Sequence, residues 1–266
     1  MARFGRRIPI PLAYKRASNS VVGNKVVALL HADGTDGSST FVDSSPLSAN
    51  WTAVNGAVVS SAQSKFGGSS IAFPNSNSYI QSSAAYSNFA FGTGDFTVEM
   101  WVYTISLPVG GATDIGFANP DIQWFISSNG ALAWDIDNVQ KINSGPSVIT
   151  TGAWQHIAVS RSGGSTRMFV DGAQKGSTSA DSTIYAATSQ FVVGKTGAPT
   201  THWNGYVDEI RITKGYAWYT SNFTPSATQL GTVAVIDNTT PATQKFYKES
   251  SALTPSTVSV VRGRLF

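Results

Sequence analysis

Only three glutamates occur in the 266 residues, Glu99, Glu209 and Glu249, and a retaining glycoside-cleaving pair needs two carboxyl groups about 5 Å apart on one face. Glu99 stands alone in DFTVEMWV. Glu209 follows Asp208 in YVDEIRI, but successive strand residues point to opposite faces, so neither segment supplies the pair by itself. His31, His156 and His202 have no Ser/Asp setting around them, no G-x-S-x-G elbow is present, and HADG is unlike the helical two-histidine zinc motif. Cysteine is absent, which excludes disulfides and thiolate metal sites. The expectation is a protein with no catalytic residues, not an enzyme.

Asp208 is the acidic residue that most needs a partner. Alternation in GYVDEIRIT puts it with Tyr206, Ile210 and Ile212 on the inward face, where a carboxylate needs compensation. Two readings stay open: it accepts backbone N–H bonds, or it joins Asp33 or Asp36 and turn carbonyls around Ca2+, which takes oxygen ligands. No other cofactor is required. Trp101, Tyr103, Trp203, Tyr216, Trp218 and Tyr219 are the candidate glycan-binding residues, because rings stack on sugar faces while short polar side chains orient hydroxyls. Packing is the competing role for each. His156, in GAWQHIAVS, is expected to be structural, its ring beside Trp154 and its nitrogens hydrogen-bonded.

The elements that must position these side chains are short strands. Charged residues make up 12%, about half of the roughly 25% usual in soluble domains, and Gly, Ser, Thr and Asn fill much of the rest. Small polar residues satisfy turn backbones while aromatic and β-branched residues suit a pleated surface. Asp33-Gly34, Asn55-Gly56, Gly67-Gly68, Asn129-Gly130, Gly163-Gly164 and Asp171-Gly172 are hairpin signals at the spacing of an all-β sandwich. In DFTVEMWVY, period two puts Phe96, Val98, Met100 and Val102 on a core face and Thr97, Glu99, Trp101 and Tyr103 on the other. Ile122, Trp124 and Ile126, and likewise Leu132, Trp134 and Ile136, are core sets.

Three regions follow. Residues 1–20 form a basic N-terminal arm held extended by Pro9 and Pro11; 21–230 form the sandwich; 231–266 form a C-terminal tail with strand-like segments at Thr232–Ile236 and Thr257–Val261. A lone strand is unstable in water, so the tail is expected to pair with the sandwich edge or with another chain. The net charge of +3 is concentrated at the ends, in Arg3, Arg6, Arg7, Arg262 and Arg264, the candidate assembly residues. A duplex footprint needs a basic face and not two tails, so nucleic acid is not the expected partner. Val26–Leu30, the longest apolar candidate near the start, is far too short for a bilayer, and neither signal peptide nor membrane anchor is expected.

Four segments in order then resemble the laminin-G-like domains of the concanavalin A-like lectin/glucanase superfamily: LLHADGTDGSSTFVDSS; SKFGGSSIAFPNSNSYIQ with DFTVEMWV; GAWQHIAVSRSGGSTRMFVDGAQ; and WNGYVDEIRITKGYAWYTSNFTP. The resemblance implies an all-β, two-sheet antiparallel jelly-roll sandwich with extended N- and C-terminal arms. It also implies that many relatives bind glycans or proteins, that some carry a structural calcium near the Asp33 and Asp208 segments, and that the glucanase branch carries Glu-x-Asp-x-x-Glu, which is missing here. RITKGYAWYTSNFTP is similar to versions in tailed-phage structural proteins. That similarity implies a non-catalytic decoration protein at the virion surface, attached through its arms to capsid or tail proteins and forming a homo-oligomer. The alternative is a glycan-binding adhesin or tail-associated receptor binder that meets a cell-surface glycan.

Overall fold

The computed structural model describes residues 20–22, 25–75, 77–83, 86–119, 122–186, 190–194, 203–232, 234–236 and 245–246. Arg3, Arg6, Arg7, Arg262, Arg264, His202, Glu249 and the strand expected at Thr257–Val261 lie outside them. In chain order the strands are β1 (Ser20–Val22), β2 (Val26–Leu30), β3 (Trp51–Val54), β4 (Val58–Ser60), β5 (Ser70–Phe73) and β6 (Tyr79–Ser82). There follow β7 (Phe96–Ser106), β8 (Ala112–Asn119), β9 (Ile122–Ser127), β10 (Leu132–Ile136), β11 (Val139–Asn143) and β12 (Trp154–Ser162). The last are β13 (Ser165–Val170), β14 (Ala173–Ala180), β15 (Val192–Val193), β16 (Asn204–Lys214), β17 (Ala234–Ile236) and β18 (Lys245–Phe246).

One large sheet runs β14-β13-β12-β7-β16-β5-β4, with β2 also paired to β16. A four-stranded sheet, β11-β10-β9-β8, and a three-stranded sheet, β15-β6-β3, face it, with β15 lying beside β8. All ladders are antiparallel. The main core lies between these layers and takes Phe96, Val98, Met100 and Val102 from β7, as alternation predicts. It also takes Ile122, Trp124 and Ile126 from β9 and Leu132, Trp134 and Ile136 from β10. Each inward residue removes apolar surface from water on a strand whose backbone groups are paired within the sheet.

Asn129-Gly130, Gly163-Gly164 and Asp171-Gly172 are hairpin turns as expected, and Gly67-Gly68 lies in the longer loop joining the paired β4 and β5. Asn55-Gly56 is instead a crossing: β3 pairs with β6 and β4 with β5, so this turn carries the chain from one layer to the other. Asp33-Gly34 likewise leaves β2 without a hairpin partner following it. The turn chemistry fixes a reversal, whereas the faces that must be buried choose the sheet to which the chain returns.

The second difference is at β16. Its first half pairs with β5 at Gly205–Val207 and its second half with β2 at Ile210–Thr213. Between them a β-bulge shifts the register against β7 between Asp208 and Arg211, with Glu209 at φ +53°. The extra residue reverses the alternation: Val207, Ile210 and Ile212 enter the core, while Tyr206 and Asp208 lie on the outer face with Tyr103 and Trp101. The inward placement expected for Asp208 and Tyr206 is therefore corrected.

The outer face of the large sheet is itself largely covered. Trp218, Tyr219 and Leu230, from the segment after β16, pack with Val26, Leu29, Ala158 and Phe169 in a second apolar cluster. Hence Thr97 and Glu99, expected on a non-core face, are buried as fully as the core set, and Trp101 is buried as well. Beyond the sandwich, Ser20–Val22 pairs with Ala234–Ile236, which pairs with β18. The flanks thus satisfy each other's backbone groups, with Ala234–Ile236 between β1 and β18 rather than on the sandwich edge.

Candidate functional site

Antiparallel register divides the outer face of the large sheet into rows. Trp154, Tyr103 and Tyr206 are cross-strand partners on β12, β7 and β16; His156, Trp101 and Asp208 form the next row; Ala158, Glu99 and Arg211 the one after.

The third row holds a buried ionic cluster. Glu99 Oε1 accepts Arg211 Nε at 2.8 Å and lies 2.6 Å from Nη2. Its Oε2 accepts the Tyr219 hydroxyl at 2.6 Å and faces His156 Nε2 at 3.0 Å. Burial pushes the Glu99 carboxyl up, but the Arg211 guanidinium, the His156 contact and the Tyr219 hydroxyl together outweigh it and hold the group at about 2. Burial and the Glu99 charge push the Tyr219 hydroxyl well above the ordinary tyrosine range. His156 Nδ1 is buried without a hydrogen-bond partner. The expected structural role of His156 stands, but its ring neighbours are Trp101, Tyr219 and Phe223, and only one of its nitrogens is bonded.

Arg211 also donates to the Gly231 carbonyl at 3.0 Å, and its guanidinium lies 4.3 Å from the centre of the Trp218 ring. The cluster therefore fastens residues 218–231 onto the sheet. A carboxylate, an imidazole and a phenol in contact have the composition of acid–base machinery, and Glu99 is fully enclosed.

The second row shows how Asp208 is compensated. Its Oδ2 accepts Lys65 N at 2.8 Å and Phe66 N at 3.1 Å, and Oδ1 accepts Glu209 N at 2.8 Å, the backbone alternative of the two open readings. Burial nevertheless raises this carboxyl to about 7, the N–H bonds offsetting only part of the desolvation and the Glu209 charge adding to it. Asp36 Oδ1 accepts Ser61 N at 2.8 Å, and Asp33 Oδ2 accepts Gln229 Nε2 at 2.7 Å. Among the described residues no three acidic or imidazole side chains come together as metal ligands. Glu209 is enclosed as well: Oε1 meets His31 Nδ1 at 2.9 Å and Oε2 accepts Leu230 N at 2.6 Å.

Of the six rings expected to meet sugar, four are packed away. Trp203 donates Nε1–H to Thr104 Oγ1 and packs on Phe73; Trp218 donates to Thr213 Oγ1; Tyr219 serves Glu99. Trp101 lies under Phe66 and Lys65, whose Nζ is 3.9 Å from its ring centre. These four are buried and offer no ring face to solvent, which corrects their assignment. Tyr216 is half-buried against Trp218. Tyr103 is half-buried in the first row, with Trp154 at 5.6 Å and Tyr206 at 6.1 Å between ring centres.

The rings of that row are less deeply buried than the side chains of the other two rows. Trp154, Tyr103 and Tyr206 are all half-buried, and Ile105, two residues beyond Tyr103, is 46% exposed. Trp154 and Tyr206 were not among the sequence candidates. The available signal was that both are aromatic strand residues, but their alignment with Tyr103 depends on cross-strand register, which no single segment encodes.

The sequence model of the concanavalin A-like lectin/glucanases superfamily matches residues 74–216. No curated protein matches the chain. Among solved structures, the binding domain of Paraclostridial Mosquitocidal Protein 1 superposes with a TM-score of 0.58 at 17% identity, over 73% of this chain and 50% of that one. Trypanosoma rangeli sialidase gives 0.54 at 16% identity, over 72% of this chain and 31% of that one. Domain 4 of AbnA, an extracellular arabinanase from Geobacillus stearothermophilus solved with arabinotriose, gives 0.53 at 20% identity, over 73% of this chain and 95% of that domain. The chain thus spans half or less of the first two and nearly all of the third. At these identities the likeness concerns fold and not ligand. Facing antiparallel sheets, the core sets on β7, β9 and β10, and a family match covering more than half of the chain lead to one assignment: this chain belongs to the concanavalin A-like lectin/glucanases superfamily.

Proposed function

We propose that the chain is a non-catalytic glycan-binding module whose contact face is the ring row Trp154–Tyr103–Tyr206. The observation that carries this reading is the row itself: three half-buried rings in register on adjacent central strands. Rings held by a rigid sheet meet the apolar face of a sugar with little loss of side-chain freedom. The absence of catalysis is supported by the state of the described acids: Glu99, Asp208 and Glu209 are enclosed and committed to protein donors. The same commitments favour binding without a metal. The AbnA domain is described in complex with arabinotriose, which makes an oligosaccharide a reasonable first ligand class for this one.

The test is a glycan array followed by calorimetric titration of the best ligand into wild type, W154A and Y206A. Loss of a well-stacked ring is expected to weaken binding about tenfold, roughly 1.4 kcal/mol, with melting temperatures that show the variants folded. No bound glycan, or full affinity in both variants, would refute the reading.

Display at a virion surface through the flanks is a second reading, favoured by the pairing of β1 with β17, which brings the two ends of the sandwich together. Capsid or tail proteins and further copies of the chain would then be its partners, held through the basic terminal segments. Particle binding and light scattering of the full chain against residues 21–230 test this; equal behaviour of the two would remove it.

A further inference from the structure

The outer face of the four-stranded sheet carries a carboxylate that folding does not use. Asp135 on β10 is half-buried, and its Oδ1 is shielded from solvent without a hydrogen-bond partner. Buried polar atoms are almost always paired, and an exception calls for a reason. A β-bulge between Trp134 and Asp135 departs from regular pairing with β11 at this point. Burial also pushes the Asp135 carboxyl above the ordinary range, as expected of an acceptor with no donor or cation at hand.

Its surroundings have the composition of a sugar subsite. Register places Gln123 and Gln140 on either side of Asp135, and Asp114, Phe125, Ala133 and Asn143 in the adjoining row. Phe125 is half-buried and stacks on no other ring among the described residues. Ala133 beside it carries only a methyl group and is fully buried. Gln140 and Asn143 are exposed. A half-open ring offers a stacking platform, amides offer donors and acceptors, and an ionised carboxylate takes hydrogen bonds from two neighbouring hydroxyls.

We infer that the Asp135–Phe125 face is a second oligosaccharide-binding site, on the opposite side of the sandwich from the Trp154–Tyr103–Tyr206 row, with a sugar ring over Phe125 and vicinal hydroxyls donating to Asp135. The occupant is chosen by complementarity: an unpaired acceptor requires a donor, and the flanking amides suit hydroxyl groups. The site goes beyond the proposed function and does not depend on the ring row. Two faces would let one module bridge two glycan chains, so that avidity exceeds the affinity of either site.

The experiment titrates arabinotriose, cellotriose and chitotriose separately into the isotope-labelled full chain and follows backbone amide shifts, which report each face independently. Saturable shifts at Gln123, Phe125, Ala133 and Asp135 are expected for at least one sugar. D135N and F125A should each weaken that binding about tenfold. D135N should melt at the same temperature as wild type or higher, because it removes an unpaired buried charge; a purely structural aspartate would lower it. Shifts confined to the ring row would overturn this inference while leaving the proposed function intact. Shifts confined to the β9–β10 face would do the reverse. No saturable shift with any of the three sugars up to about 10 mM, a free energy near 3 kcal/mol, would overturn it outright.

Discussion

Replacing Glu99 by Gln keeps the shape of the side chain and removes the charge that Arg211 faces. The guanidinium would remain enclosed, with its Gly231 bond and the Trp218 ring but no anion. Breaking one side of a buried pair typically costs about 3–5 kcal/mol. An independent estimate comes from linkage. The Glu99 carboxyl is held at about 2 against an ordinary 4.5, and at about 1.4 kcal/mol per unit that is roughly 3 kcal/mol. The two agree, and for a sandwich of this size they correspond to a fall in Tm of about 10 °C. The sign is that of a depressed carboxyl: the contribution is fully present above pH 4.5 and is lost as pH falls toward 2. Urea unfolding of wild type, E99Q, R211M and the double variant at pH 7 and pH 2.5 measures it. Each single variant should lose about 3–5 kcal/mol at pH 7, the double should lose less than their sum, and the gap between wild type and E99Q should narrow in acid. Single losses below about 1 kcal/mol, strict additivity, or a gap indifferent to pH would refute the argument that this cluster fastens the covering segment.

Asp208 titrates in the opposite sense. Its carboxyl is raised from 3.8 to about 7, so its contribution is fully present below pH 3.8 and is lost as pH rises through 7, by up to about 4 kcal/mol. With Glu99, this places maximum stability near pH 4–5, and D208N should flatten the decline between pH 4 and 7.5; an unchanged slope in denaturant titrations would count against the assignment. Gly172 in the β13–β14 turn has φ +76°, and a methyl group there would meet the Phe223 carbonyl. G172A should therefore cost about 2 kcal/mol or more and loosen the covering segment, read as a lower Tm and faster amide exchange at Phe223, whose N–H donates to the Gly172 carbonyl at 2.9 Å. Wild-type exchange and Tm in that variant would be inconsistent with this packing.

The difference between legible and illegible features lies in sequence separation. Phe96, Val98, Met100 and Val102 declare their face within one strand, as do the sets around Trp124 and Trp134, because a period of two is local. Trp101 follows the same local rule onto the non-core face, but the Lys65–Phe66 loop that packs on its ring is distant in sequence. Glu99 is paired with a residue 112 positions away and with a hydroxyl 120 positions away, and no pattern within DFTVEMWV announces either. Asp208 was misplaced for a smaller reason. A single left-handed residue, Glu209, reverses the alternation, and it is not the glycine or asparagine that usually marks such a bend. Arg161, which donates to the Asp181 carbonyl at 2.6 Å and to the Gly92 carbonyl at 3.3 Å, is fully enclosed and was likewise invisible.

Composition and alternation were sufficient for the all-β class, the core sets, most of the reversals and the lack of a local two-carboxylate motif, since each depends on residues that touch within a strand or turn. Only the folded chain decided which rings remain open, which acids are sealed and where a carboxylate is left without a partner. Those outcomes depend on which distant segments come to lie over a sheet face. Covering that face changes solvent access, hydrogen bonding and proton affinity together, without changing a single residue on the strand beneath.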